Sequence, residues 1–208
     1  MADTRENILN TALRLFARDG YEAVSVSTIA GELGMTKGAL YKHYKNKRDI
    51  FDSIVARMYE IDAQRSRQYA MPEGNGDGIS AAPESIRAFT AAQYLFWTED
   101  DFARYFRRML TLEQYRSEEM AALYHSCIIA GPVAYMADIF QTLLDKGVLR
   151  GGEARQMALS FYAPLFLLIT MSDRDGDREA HLALLAQHIE RFFQHYTAED
   201  TSTPKKGI

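Results

Sequence analysis

The sequence predicts an all-α fold with a small N-terminal three-helix domain and a larger helical body. Three observations carry this. Apolar residues recur at steps of three and four along most of the chain; no run combines strand-like alternation with turn chemistry; and residues 26–44, VSTIAGELGMTKGALYKHY, set two short helices around a glycine turn.

The first helix starts at Asp3 or Thr4, either of which can cap it. Ile8, Leu9, Ala12, Leu13, Leu15 and Phe16 mark its apolar face, and Gly20 ends it. In the second helix Val26, Ile29, Ala30 and Leu33 form the buried side, with Ser25 as N-cap and Gly34 at the stop, where a left-handed backbone suits a residue without Cβ. Thr36 is placed to cap a third helix over residues 37–44, whose Leu40 closes onto Ile29 and Leu33. Lys37, Gly38, Tyr41, Lys42 and His43 then form a donor-rich outer face able to enter a DNA major groove, with Gly38 and Ala39 permitting close approach. Ser27, Thr28, Tyr44 and Lys47 are phosphate-side candidates, although Tyr44 also fits a core position.

A net charge of −4 argues against nucleic-acid binding only if charge is spread evenly, and it is not. Residues 1–50 hold eight Lys/Arg against six Asp/Glu. Five basic residues and no acidic one lie between Leu33 and Arg48, a patch that can neutralise phosphates beside an acidic body. The single cysteine, Cys127, excludes an intrachain disulfide framework and fits a reducing cytoplasm. The polar N-terminus carries no secretory signal. Residues 157–171, interrupted by Ser160, Pro164 and Thr170, fall short of a membrane span and read as a buried helix.

The stretch TRENILNTALRLFARDGYEAVSVSTIAGELGMTKGALYKHYKNKRDIFDSIV resembles the N-terminal domain of TetR/AcrR-type transcriptional regulators, over about the first 55 residues. Ser25 stands where that family commonly has threonine and Met35 where it commonly has valine; neither changes capping or packing. The resemblance implies a homodimeric regulator, most often a repressor, that binds pseudo-palindromic double-stranded operator DNA and is released by an effector held among its middle helices. It implies no cofactor and no enzymatic activity.

Beyond the motif, a helix over residues 47–69 carries Ile50, Phe51, Ile54, Val55, Met58 and Ile61 and links the first domain to the body. Residues 71–83, rich in Gly and Pro, form a loop without the context of a phosphate cradle. Helical periodicity then marks residues 83–97, 100–113, 117–129, 132–147, 153–171 and 178–196. Asp177 serves as N-cap in a segment whose acids lack EF-hand spacing, and a disordered tail is expected over residues 197–208. The expected domains are residues 1–46, a helix-turn-helix DNA-binding domain, and residues 47–196, an effector-binding and dimerisation domain.

Phe161, Leu165 and Leu168 form one apolar stripe, and Leu182, Leu185, Ile189, Phe192 and Phe193 another. Two such hairpins related by a two-fold axis make a four-helix bundle, so these residues are the dimer candidates; the alternative is that both stripes face only their own subunit. Trp97, Tyr105, Met109, Tyr124, His125, Met136 and Phe140 are the ligand candidates, apolar walls with few polar points, although cores have the same composition. Arg104, Arg107 and Arg108 read as a solvated face. His181, His188 and His195 recur every seven residues, about 10 Å apart along a helix axis, too far to share a metal, and read as solvated or interface histidines. Cys127 beside His125 and Ser126 reads as a buried thiol, since helical neighbours diverge. Two rival functions remain open: a regulator without an effector, and a helical enzyme, for which no residue spacing speaks.

Overall fold

In the computed structural model, residues 4–74, 76, 78–174 and 176–197 are described; Asp3 and residues 198–208, where a cap and most of a disordered tail were expected, lie outside them. The described residues are helical, apart from connections and one isolated antiparallel bridge between Leu149 and Thr197. They form two compact units. One comprises residues 4–68 and 95–131, the other residues 69–94 and those from 132 onward.

The first unit starts with α1 (Thr4–Asp19), α2 (Val26–Glu32), α3 (Lys37–Leu40) and α4 (Lys47–Gln68). Helix α1 buries Ile8, Leu9, Ala12, Leu13, Leu15, Phe16 and Ala17, and stops at Gly20, whose φ is +86°. The Ser25 hydroxyl accepts from the Thr28 N–H at 3.0 Å, and the Thr36 hydroxyl from the Ala39 N–H at 3.2 Å, as the cap positions require. Helix α3 is shorter than the expected 37–44. After Leu40 the chain tightens, with the His43 N–H donating to the Leu40 carbonyl at 2.9 Å, a three-residue step that ends the helix while keeping Leu40 and Tyr44 inward. Helix α4 has a reciprocal cap: Asn46 Oδ1 accepts from the Asp49 N–H and Asp49 Oδ2 from the Lys45 N–H, both at 2.8 Å.

Helix α5 (Pro83–Glu99) opens on proline, where a missing N–H costs nothing. Helix α6 (Asp101–Glu113), capped by Asp100, buries Ala103, Phe106, Met109 and Leu110 and packs on α1. Helix α7 (Glu118–Tyr124) then runs through a π-helical turn, His125–Ile129, directly into α8 (Ala130–Asp145). This corrects the expected break near Gly131 and Pro132. The wide turn brings the Ser126 carbonyl so close to Gly131 that an added Cβ would lie 1.8 Å from it, so the glycine continues a helix instead of ending one.

The second unit contains α8, α9 (Ala154–Met171) and α10 (Arg178–Tyr196), with the Asp177 carboxylate capping α10 by accepting from the Ala180 N–H at 3.2 Å. Its centre is an aromatic cluster: Phe161 and Phe192 centroids are 4.8 Å apart, and Phe140 stacks on Phe192 at 5.1 Å. This corrects the expected dimer stripe. Phe161, Leu165, Leu168, Leu185, Ile189, Phe192 and Phe193 are buried by their own subunit, and Leu182 is half-buried. The exposed apolar residues are instead Leu159, Leu167 and Met171 on the opposite side of α9, and Leu184 on α10. Helix α9 is thus not wholly buried, and its 18 residues do reach the length and mean hydropathy of a membrane span, as does the continuous stretch Glu118–Asp145. The histidine reading also changes: His181 is buried, its Nδ1 3.2 Å from the Tyr94 hydroxyl, and His188 Nε2 lies 3.2 Å from the Phe161 carbonyl, while His195 is exposed.

Gly131→Ala should destabilise the protein by about 1–3 kcal/mol through that clash. Gly31→Ala, on the open side of α2 with nothing within 4 Å of the new Cβ, should stabilise it by about 0.5–1 kcal/mol. Urea denaturation of both variants checks the pair; an unaffected Gly131→Ala would rule out the π-turn geometry.

Candidate nucleic-acid interface

The outward face of α3 is assembled by what is buried beneath it. Leu40 has no exposed surface, and it rotates Lys37, Gly38, Tyr41, Lys42 and His43 outward, all of them exposed. Lys37 Nζ lies 5.7 Å from the centre of the Tyr41 ring, so a cation and an aromatic ring stand side by side. Nothing but Thr36 Oγ1, 4.0 Å away, approaches where a Gly38 Cβ would be, and this helix can come close to an external surface. Ala39 is half-buried, Thr36 is exposed with its hydroxyl in the cap, and Ser27 and Thr28 are exposed, the Thr28 hydroxyl 2.8 Å from that of Ser25.

Two candidates sit elsewhere than a phosphate-facing surface. Tyr44 is 2% exposed, its hydroxyl donates to the Arg5 carbonyl at 3.2 Å, and burial pushes its phenol pKa up; we place it in the core. Lys47 donates to the Tyr21 carbonyl at 2.8 Å and lies 4.1 Å from the centre of the Tyr21 ring, which makes it a brace of the turn between α1 and α2. Arg48, the last residue of the basic patch, donates to Asp52 at 2.7 Å and to Glu119 at 3.0 Å. Four cations of the patch are exposed, Lys37, Lys42, Lys45 and Arg48, and Arg48 is the one held by two carboxylates.

The turn before α2 is fixed from a distance in sequence. The Glu113 carboxylate, 2% exposed, accepts from the Tyr21 N–H at 2.9 Å across 92 residues and lies 3.4 Å from Arg116. A Cβ on Gly20 would stand 3.0 Å from the same oxygen, so the close approach and the positive φ both call for glycine. Sequence reasoning missed this latch, because an acid at a helix C-terminus carries no signal of a partner so remote. The Arg14–Glu32 ion pair, 2.6 Å, ties α1 to α2 at the surface.

The ligand candidates are not brought into one cluster within either unit. In the first unit Met109 and Tyr124 are buried, Trp97 and Tyr105 half-buried and His125 exposed; Met136 and Phe140 are buried in the second. Arg107 corrects the solvated-face reading: it is 7% exposed, whereas Arg104 and Arg108 are exposed.

Residues 8–54 match the family model of bacterial regulatory proteins, tetR family. The HTH-type transcriptional regulator AcrR of Shigella flexneri is 46% identical over 52 residues, 25% of this chain and 24% of that protein, so the match spans about a quarter of the relative's length. Over nearly the whole chain the fold is shared with solved structures: the SmeT–triclosan complex (TM-score 0.69, 19% identity, 97% of this chain and 95% of that one) and SmeT, described as the repressor of the Stenotrophomonas maltophilia multidrug efflux pump SmeDEF (TM-score 0.65, 21% identity, 98% and 95%).

Removing the latch should be felt as stability. Glu113→Ala leaves the Tyr21 N–H without its acceptor and should cost about 1–3 kcal/mol, with Glu113→Gln, which keeps an acceptor, costing less. Guanidinium melts in which the two variants behave alike would deny the hydrogen bond its role.

Proposed function

From an N-terminal domain that belongs to the TetR family, we propose that the chain is a homodimeric, sequence-specific DNA-binding regulator acting in the cytoplasm, a repressor released from operator DNA by a small, largely apolar ligand. The observation that carries this is the face of α3: Lys37, Tyr41, Lys42 and His43 exposed over a Leu40 that is wholly buried. In this reading those side chains and the backbone at Gly38 and Ala39 meet base edges, Thr36 caps the helix that presents them, and Ser27 and Thr28 contact phosphates. One recognition helix offers few contacts, and a two-fold pair on a pseudo-palindromic site doubles them.

The dimer seam we propose is the outer face of α9 with Leu184, because Leu159, Leu167 and Met171 are large apolar groups left exposed at helical spacing. The ligand reading draws support from the fold shared with SmeT, solved as a triclosan complex. The proposed ligand contacts remain Trp97, Tyr105, Met109, Tyr124 and His125 in the first unit and, separately, Met136 and Phe140 in the second. A ligand preferring the conformer with misplaced recognition helices would weaken operator binding by a coupling of about 1–3 kcal/mol.

Two expectations follow. A duplex recovered by selection from a random library should be a pseudo-palindrome, and Lys37→Ala and Tyr41→Ala should each weaken binding to it by about 1–3 kcal/mol without a change in melting temperature; unchanged titrations at matched salt would sink the assignment. Sedimentation should show that Leu159→Asp with Leu167→Asp yields a folded monomer, whereas Leu185→Asp, which places a charge in a core position with no exposed surface, unfolds the chain. A wild-type monomer, or a dimer surviving the first pair, would refute the seam.

A further inference from the structure

The turn between α6 and α7, residues 114–117, is held against the helix-turn-helix at two places. On one side Glu113 accepts from the Tyr21 N–H at 2.9 Å, and Arg116 Nη2 lies 3.4 Å from where a Gly20 Cβ would stand, so the turn sits beside the segment that leads into α2. On the other side Arg48, in the first turn of α4, donates to Glu119 at 3.0 Å. The turn is thereby placed next to two helix starts: that of α2, where Ser27 and Thr28 are exposed, and that of α4, where Lys45 is exposed. All of these residues belong to the unit that presents α3.

What the turn shows to solvent is a bulky aromatic group and positive charge. Tyr115 is 88% exposed, more than any other large apolar side chain among the described residues, and Arg116 keeps about half of its side-chain surface in water. Before it on α6, Arg104, Arg108 and Leu112 are exposed at steps of four; Arg104 pairs with Asp101, but Arg108 has no carboxylate partner among the described residues. Most neighbouring acids are engaged. Glu113 is buried beside Tyr21 and Arg116, Glu119 is taken by Arg48 and Glu22 lies 3.9 Å from Lys47, which leaves Glu118 exposed.

We propose that this turn is a second DNA contact: Tyr115 and Arg116, with Arg108 behind them, bind phosphates of the duplex that flanks the bases met by α3. A phenol and a guanidinium are donors suited to phosphate oxygens, and contacts of that kind fix register and add affinity without reading sequence. Positive charge beside two phosphate-facing helix starts favours nucleic acid over an acidic protein as the occupant. The inference rests on the DNA-binding function proposed above.

Titration of the full-length protein with two duplexes tests it: the selected site trimmed to its recognised base pairs, and the same site extended by about one helical turn at each end. The wild type should bind the extended duplex severalfold more tightly, with a salt dependence steeper by about one unit of slope per added phosphate contact. Tyr115→Glu, which sets a negative charge at an exposed position, should abolish that gain and leave affinity for the trimmed duplex unchanged, whereas Tyr115→Lys should enlarge the gain. Arg116→Gln should reduce it and Arg116→Lys restore it; should Arg116→Gln melt early for want of its pair with Glu113, the two Tyr115 variants decide alone. A gain retained by Tyr115→Glu, which would leave the exposed ridge to a protein partner, overturns the proposal, as does equal weakening on both duplexes. Wild-type binding to the trimmed duplex without a gain on the extended one refutes this contact alone; binding to neither refutes the regulatory function on which it rests.

Discussion

Helix α1 is apolar on more than one side, and the first unit is organised by what that requires. Ile8, Leu9, Ala12, Leu13, Leu15, Phe16 and Ala17 form a band too wide for one neighbour to cover, so α1 packs against α2, α4 and α6. At about 25 cal/mol per Å² of apolar surface removed from water, a few such side chains outweigh any single polar contact in the unit. The helix is therefore fixed by burial, and α2 and α3 inherit their placement from it: Ile29 and Leu40 complete the same core, and Leu40 turns the basic face of α3 outward.

Polar groups refine this arrangement at the points where the backbone would otherwise lack partners. Ser25, Thr36, Asn46 with Asp49, Asp100, Ser117 and Asp177 each satisfy an N–H at a helix start. Glu113 does the same for a turn, but from a helix far away in the chain, which makes the turn's conformation depend on α6. Lys47 completes the hold by donating to the Tyr21 carbonyl, so the Tyr21 N–H and C=O are both taken by side chains. A basic residue near a DNA-binding motif can thus be structural, and Lys47 and Arg48 carry their charge into contacts within the unit.

The surfaces left over are where function has been sought. On α3 they are basic and aromatic, and on α9 aliphatic. Each matches a different class of partner by elementary complementarity.

Much of the helical architecture was legible in the sequence. Periodicity located the segments, and the caps at Ser25, Thr36 and Asp177 marked starts because a hydroxyl or carboxylate there has a defined N–H to bind. The contiguous motif of residues 26–44 needs only neighbours within a few turns, which is why its exposed face was also readable. Tertiary structure decided the rest. Periodicity shows that a stripe is apolar but not whose side chains cover it: Phe161 and Phe192 were legible as partners of something, and only the fold made them partners of each other and left Leu159 and Leu167 outside. Gly131 and Pro132 read as a break because local propensity favours one, yet the wide turn accommodates both. The pairing of Glu113 with Tyr21 and of His181 with Tyr94 joins residues 92 and 87 positions apart. Contacts of that kind are set by the path of the whole chain, on which no local residue pattern reports.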